Sequence, residues 1–234
     1  MKQGHDAAQA TTSAIKDLIL ARGLHPGDLI PTEAELMEEF GVSRSNVREA
    51  VRTLVALDIL CVRHGTGTFV GDLSMRPLVD AMVFRGIMQR GSDAGLLEEI
   101  VEVRRGLDLS LGARIVERLT GTDAVELQEC VEEINACTRR GENFADADRR
   151  FHLLLARELG NNVYSQLVTA FWDIHTAIGA RFPKAGREEI KATADAHERM
   201  LESAVAGNLD AYLEAVRAHY DPILHVLAGC REAS

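Results

Sequence analysis

PTEAELMEEFGVSRSNVREAVRTLVALDILCVRHGTGTFV, running from Pro31 to Val70, is the stretch whose reading decides the fold. It reads as a helix, a tight turn, a second helix and a two-stranded hairpin. Thr32 followed three residues later by Glu35 is a capping-box pattern, and Leu36, Met37 and Phe40 form the apolar side of the first helix. Gly41 stops that helix. Ser43 caps the next one, in which Val47, Ala50, Val51 and Leu54 recur at three- and four-residue intervals and so face inward together. Arg44, Arg48 and Arg52 form the outward rail, with Ser45 and Asn46 beside the first of them. Ile59 to Arg63 and Thr68 to Val70 bracket His64-Gly65-Thr66-Gly67, a glycine-containing connection suited to a short hairpin.

A helix that presents guanidinium, hydroxyl and amide groups from its first turns, with a packed helix in front of it, has the geometry that enters a DNA major groove. The hairpin is then a wing. Arginine pairs bidentately with guanine edges, asparagine pairs with adenine, and hydroxyls or a wing histidine settle on phosphate. The competing reading is a solvated helix face, with Arg48 and Arg52 paired to Glu49 or its neighbours. Turn chemistry and hairpin agree with the helix pattern, which favours the DNA reading.

The strings PTEAEL, GVSRSNVREA and HGTGTFV resemble the winged helix-turn-helix of the GntR family of bacterial transcription regulators. The resemblance implies that Ser43, Arg44, Ser45, Asn46 and Arg48 touch operator DNA and that His64 and Gly65 bring the wing to the minor groove. One position departs from the family pattern. Ala34 stands where the family usually has a DNA-contacting arginine, which leaves operator sequence and affinity open.

The 234 residues, 46% of them hydrophobic, can bury a sizeable core and are expected to form two domains: residues 1–71, a linker at 72–75, and residues 76–234. The chain has no apolar run long enough for a membrane span and no export-signal pattern at its start, so a cytoplasmic protein without membrane contact is expected. Cys61, Cys130, Cys137 and Cys230 include no C-x-x-C pair and read as reduced thiols. Net charge is −10, and residues 1–73 hold seven Lys+Arg against ten Asp+Glu, a balance of −3. DNA attraction therefore rests on the local field of the arginine rail, and affinity on two copies reading two half-sites, so a homodimer is expected.

Residues 1–10 read as a loose polar lead, and a first helix runs from Thr11 to Gly23, before the turn Pro26-Gly27-Asp28. Beyond residues 71–74 strand signals vanish. Seven amphipathic helices are expected at 76–90, 95–119, 122–140, 143–159, 162–181, 187–206 and 209–229, separated by short glycine- or proline-containing breaks. The fold class is thus mainly α: an N-terminal winged helix-turn-helix followed by an all-α antiparallel helical bundle.

Polar residues on the apolar faces carry the remaining information. At 100° per residue, Phe144, Phe151, Leu155 and Leu159 share a stripe that contains Asp148, with His152 beside it. His197 lies within the stripe of Ile190, Ala194, Leu201 and Val205, and His219 edges that of Leu209, Val216, Tyr220 and Ile223. His197 precedes Gly207 by ten residues and His219 follows it by twelve, so an antiparallel pair brings both to nearly one level. One carboxylate and three imidazoles meeting inside a bundle can hold a divalent cation; a metal-free hydrogen-bond network serves the same residues equally well. His175 and His225 fall off the inward faces and read as surface or rim. Arg104 sits at the edge of a Leu96, Ile100, Val103, Leu107, Leu111 stripe, where it can clamp a carboxylate or pair with Asp108. Trp172 is core or pocket wall.

EVRRGLDL, DRRFHLLLARELGNN, AHERMLESAVAGNLDA and VRAHYDPI resemble the FCD effector-binding domain of one GntR subfamily. The resemblance implies that Asp148, His152, His197 and His219 are ligands to a divalent metal ion, zinc or nickel, with a small carboxylate effector completing the coordination, and that Arg104 binds that effector. The function expected is a ligand-responsive regulator of double-stranded operator DNA, a repressor and not an enzyme. The alternatives are a metal-dependent hydrolase carrying a DNA-binding head, for which no additional acid is visible near the ligands, and a metal-free dimerisation module.

Overall fold

The computed structural model describes residues 2–88, 93–179 and 186–232. Its elements in order are α1 (Lys2–Ala21), α2 (Glu33–Phe40), α3 (Arg44–Ala56), β1 (Leu60–Arg63), β2 (Gly67–Val70), α4 (Arg76–Met88), α5 (Asp93–Leu119), α6 (Val125–Arg140), α7 (Ala145–Glu158), α8 (Asn162–Gly179), α9 (Arg187–Val205) and α10 (Leu209–Glu232). They fall into two compact units, Met1–Leu78 and Val79–Ser234. Among the described residues no helix is long and apolar enough to cross a membrane.

In the first unit Ile15, Leu18 and Ile19 of α1, Leu36 of α2 and Val47, Ala50, Val51 and Leu54 of α3 close one core with Ile30, Leu60 and Val70. The capping box forms: Thr32 Oγ1 accepts from the Glu35 backbone N–H at 3.4 Å and Glu35 returns an acceptor to the Thr32 N–H at 2.7 Å. Gly41 ends α2 at φ 65°, where a side chain would be strained. β1 and β2 pair antiparallel from Leu60 opposite Val70 to Arg63 opposite Gly67. The chain before α2 joins this hairpin through Ile30 N–H to Thr68 O and Val70 N–H to Asp28 O.

The start of the chain differs from the expected loose lead, because α1 begins at Lys2. Ala7, Ala8 and Ala10 favour helix, Ala8 and Thr11 turn inward, and Thr11 and Thr12 return their hydroxyls to the carbonyls of Ala7 and Ala8. The connection at residues 71–74 is also pinned. Gly71 N–H bonds to Ile59 O, Leu73 N–H to Asp58 O, and the Asp58 carboxylate takes both the Ser74 N–H and hydroxyl.

The second unit is the expected all-α bundle. α10 packs along α9 and α5, α6 along α7 and α9, and α8 along α7 and α5. α6 starts at Val125, three residues later than the periodicity suggests, because Ala124 takes a left-handed conformation at φ 42° after the Gly121 turn. α7 starts at Ala145, with Asn143 Oδ1 accepting its first N–H. The expected helix ends at 90 and 181 and the breaks at Gly91-Ser92 and from Pro183 to residue 185 lie outside the described residues.

α5 is rotated relative to its expected face. Val103 is 55% exposed, whereas Arg104 and Asp108 lie in the buried row that includes Leu97, Ile100 and Val101. An inward charged pair is costly in an ordinary core, and its partners here come from distant helices.

Candidate functional site

Two groups of candidate residues emerge, one in each unit. On the first, Ser43 is extended at φ −71° and its hydroxyl accepts the Asn46 N–H at 3.3 Å while meeting Ser45 Oγ at 2.9 Å. This cap starts α3 so that Arg44, Ser45 and Arg48 are exposed and Asn46 half-buried beside them. Arg48 is not paired with Glu49: its Nε reaches Glu33 of α2 at 3.2 Å, in an ion pair whose members stay 58% and 42% exposed. His64 and Gly65 form the exposed hairpin tip, closed by Thr66 N–H to Arg63 O, and Gly65 sits at φ 76°, where a side chain is disfavoured. Arg63 stacks with its guanidinium carbon 4.4 Å from the Phe69 ring centre, which keeps a cation on the wing.

In the second unit Asp148 and His152, one turn apart on α7, meet His197 from α9 and His219 from α10. One ligand atom from each lies within 4.8 Å of all the others. Asp148 Oδ1 is 3.1 Å from His197 Nε2 and 3.3 Å from His152 Nε2, and His152 Nε2 is 3.1 Å from His219 Nε2. The antiparallel α9–α10 pair puts the His197 and His219 rings 4.6 Å apart, as the count from Gly207 requires.

The protons of this cluster decide its chemistry. His197 Nδ1 lies 2.8 Å from the Thr193 carbonyl, which can only accept, so Nδ1 carries a hydrogen and Nε2 is the ring atom turned toward the Asp148 carboxylate. Burial, then the charge of Arg104, holds His152 below the ordinary histidine value against the pull of Asp148. Burial and the two neighbouring imidazoles push His219 further down, and its Nδ1 has no hydrogen-bond partner. Burial opposes the charge on Asp148, yet His197 and His152 hold its carboxyl well below the usual carboxylate range. A carboxylate beside three imidazoles that converge through Nε2 is a donor set that fits a divalent ion. Phe151, with no exposed surface, packs edge-on against His197 and His152 at 5.0 and 5.6 Å and fixes their planes.

Arg104 of α5 borders this cluster. Its guanidinium carbon lies 5.6 Å from the Trp172 ring centre and 5.9 Å from that of Tyr220, and Nε and Nη2 have no hydrogen-bond partner. Burial opposes its charge, but Tyr220 and the Asp108 and Asp148 carboxylates hold its pKa above the usual arginine value. Trp172 is therefore half-buried wall as well as packing. His175, expected at the rim, is half-buried with its ring 6.0 Å from Trp172, and burial and Arg104 depress its pKa; His225 is exposed.

Residue patterns did not single out the neighbours of Asp108. Tyr164 of α8 and Tyr220 of α10 donate their hydroxyls to its two carboxylate oxygens, each at 2.5 Å. The available signal was Asp108 itself, a carboxylate one turn from Arg104 on a face that has to be buried.

Residues 7–70 match the model of the family described as "Bacterial regulatory proteins, gntR family", and residues 99–222 match that of the FCD domain. The chain is 27% identical over 178 residues to the galactonate operon transcriptional repressor of Escherichia coli, covering 76% of this chain and 78% of that one. It is 26% identical over 210 residues to the HTH-type transcriptional regulator LutR of Bacillus subtilis, covering 88% and 94%. A solved GntR structure from Streptococcus agalactiae superposes with a TM-score of 0.67 at 26% identity, covering 93% of this chain and 99% of that one. A winged helix with an exposed arginine rail, followed by an FCD bundle, makes this chain a DNA-binding transcription regulator of the GntR family.

Proposed function

We propose that the chain is a ligand-responsive repressor whose bundle binds a divalent metal ion and a small carboxylate, and which works as a homodimer on operator DNA. The observation that carries this reading is the convergence of Asp148, His152, His197 and His219 beside a buried guanidinium with two unpartnered N–H groups. The four side chains would hold the ion, zinc or nickel by their nitrogen-rich donor set. Bound there, the ion supplies a positive centre for carboxylate oxygens. Arg104 borders the same cluster and binds an anion through its planar fork. The galactonate operon repressor named above controls an operon for a polyhydroxy carboxylate, which supports an organic acid as the effector class.

On the DNA side, Arg44, Ser45, Asn46 and Arg48 read the major groove from the start of α3, with Ser43 ordering that turn, and His64 and Gly65 reach the minor groove. Ala34 brings no guanidinium to α2, so base selection depends more heavily on α3. α4 exposes Phe84, Ile87 and Met88 at 61%, 47% and 66%, and a second copy of the chain is the partner we assign to that surface. An effector that shifts the packing of the bundle needs a coupling of about 1–3 kcal/mol to change operator occupancy usefully.

Elemental analysis of the dialysed protein, beside an Asp148→Ala, His197→Ala double variant, tests the metal centre. Near one zinc or nickel per chain, lost in the variant, is expected. Absence of metal from both, with operator binding indifferent to chelators, would leave a metal-free dimerisation module. Turnover of organic acids by the metal-loaded chain would instead revive a hydrolase. Against that outcome, Asp108, the buried carboxylate of α5, is already bonded to two phenols and is poorly placed to act as a base.

A further inference from the structure

We infer that Tyr164 and Tyr220 hold the Asp108 carboxylate away from Arg104, and that this restraint keeps the guanidinium unpaired as the anion-binding group beside the four-residue cluster. The inference rests on the proposed role of Arg104 and adds the residues that make the role possible. Arg104 and Asp108 stand four apart on α5, a spacing at which opposite charges on one helix face meet. Both are buried, at 8% and 5% exposure, where an ion pair gains strength because water no longer screens it. Left alone, each is the obvious partner of the other.

The phenols prevent it. Tyr164 Oη donates to Asp108 Oδ1 and Tyr220 Oη to Oδ2, each at 2.5 Å, the short range of charge-assisted O–H to carboxylate bonds. One tyrosine comes from α8 and the other from α10, so the carboxylate is tied to both of the helices that flank α5 there. The Tyr220 ring also borders the guanidinium, at 5.9 Å from its carbon, and Trp172 borders it at 5.6 Å. Arg104 is thereby placed between aromatic walls, and the two groups without a partner are Nε and Nη2. Those two N–H groups form the side-on edge with which arginine grips a carboxylate in two parallel bonds. The buried negative charge of Asp108 still supports the cation through space. Asp108 thus helps to keep Arg104 charged without occupying the edge that a ligand would use.

The test is made on the full chain, with acetate, the simplest carboxylate, as the probe. The Arg104 Nε–H resonance, identified by its loss in Arg104→Lys, is followed as acetate is added. In the wild-type protein a saturable shift is expected. In Tyr164→Phe, Tyr220→Phe the freed carboxylate turns to Arg104, so the resonance is displaced before any addition. If pairing leaves the guanidinium open for about a tenth of the time, acetate affinity falls roughly tenfold. Adding Asp108→Asn to the double variant removes the competing charge and returns the affinity to near the wild-type value, a recovery that a merely loosened bundle would not show. Thermal unfolding and metal content confirm that each variant is folded. A double variant that binds acetate like the wild type, or a loss that Asp108→Asn does not restore, overturns the inference while leaving Arg104 as the anion group. No response of Arg104 to acetate in the wild type overturns the anion role itself, and the inference with it.

Discussion

Replacing Asp148 by asparagine tests the candidate metal centre with the least disturbance of shape. The side chain keeps its volume and loses its charge at the atom that faces His152 at 3.3 Å and His197 at 3.1 Å. A ligand that binds only the folded chain stabilises it by RT ln(1 + [L]/Kd), which is about 2.7 kcal/mol at a hundredfold excess over Kd. For a chain of this size each kcal/mol moves Tm by roughly 2–4 °C, so zinc at that excess raises the Tm of the stripped wild-type protein by about 5–11 °C. Calorimetry at pH 7.5 on chelator-treated protein, with and without zinc, measures it. Asp148→Asn should lose most of the increment at the same zinc concentration. Equal increments in the two proteins would refute the four-residue site, because zinc would then be bound elsewhere. No increment in either would refute metal binding by the folded bundle.

Stability of the metal-free protein should depend on pH in a stated direction. Burial holds His152 and His219 below the ordinary histidine value of 6.5, so the unfolded chain takes up protons near that pH while the folded one does not. Their contribution is therefore complete above about pH 6.5 and is lost as pH falls toward the folded values, which urea midpoints between pH 8 and 5 will show; a midpoint that rises on acidification contradicts it. Arg48→Ala should weaken operator binding by about 1–3 kcal/mol in fluorescence anisotropy at fixed salt. Glu33→Gln should instead strengthen it, because it frees Arg48 from a solvent-exposed pair worth at most about 1 kcal/mol; weaker binding by Glu33→Gln would show that the pair positions Arg48 for DNA. Gly71→Ala should cost about 1–3 kcal/mol in denaturant unfolding, because its new methyl presses on the Asp58 carbonyl; a neutral effect would mean that residues 58 and 71 separate readily.

The winged helix was legible because its signals are local. The Thr32–Glu35 box, Gly41, the Ser43 cap and the hairpin glycines each act within a few residues, and each forms as read. The cluster of Asp148 and the three histidines could be read for a related reason. Asp148 and His152 share one helix face, and His197 and His219 flank a short turn that fixes their relative height. The face of α5 was misread because periodicity counts Val103 as inward and a charged residue as outward. Arg104 and Asp108 win the buried row through Tyr164 and Tyr220, which lie 56 and 112 residues beyond Asp108. No local pattern encodes a partner at that separation. The start of the N-terminal helix is not legible for a smaller reason: residues 2–10 carry no apolar periodicity, and the inward turn at Ala8 and the bonds of Thr11 and Thr12 to the carbonyls of Ala7 and Ala8 leave no local pattern.

The position of the two sites along the chain limits how one could act on the other. All candidate DNA contacts precede residue 71 and all candidate ligand contacts follow residue 103, so within one chain the covalent path runs through the segment that leaves β2. That segment is not a free tether. Asp58, itself held at φ 56°, binds Ser74 through both its N–H and its hydroxyl, and Ser74 Oγ in turn accepts the Arg76 N–H at the start of α4. A flexible linker would dissipate a small displacement of the bundle among many backbone states, each ordered residue being worth about 1–2 kcal/mol of conformational freedom. Residues fixed to the winged helix by a carboxylate and two backbone bonds retain fewer such states. A shift arriving at the first turn of α4 would therefore reach Asp58 and the α3–β1 corner with less loss than glycine- and serine-containing composition alone suggests.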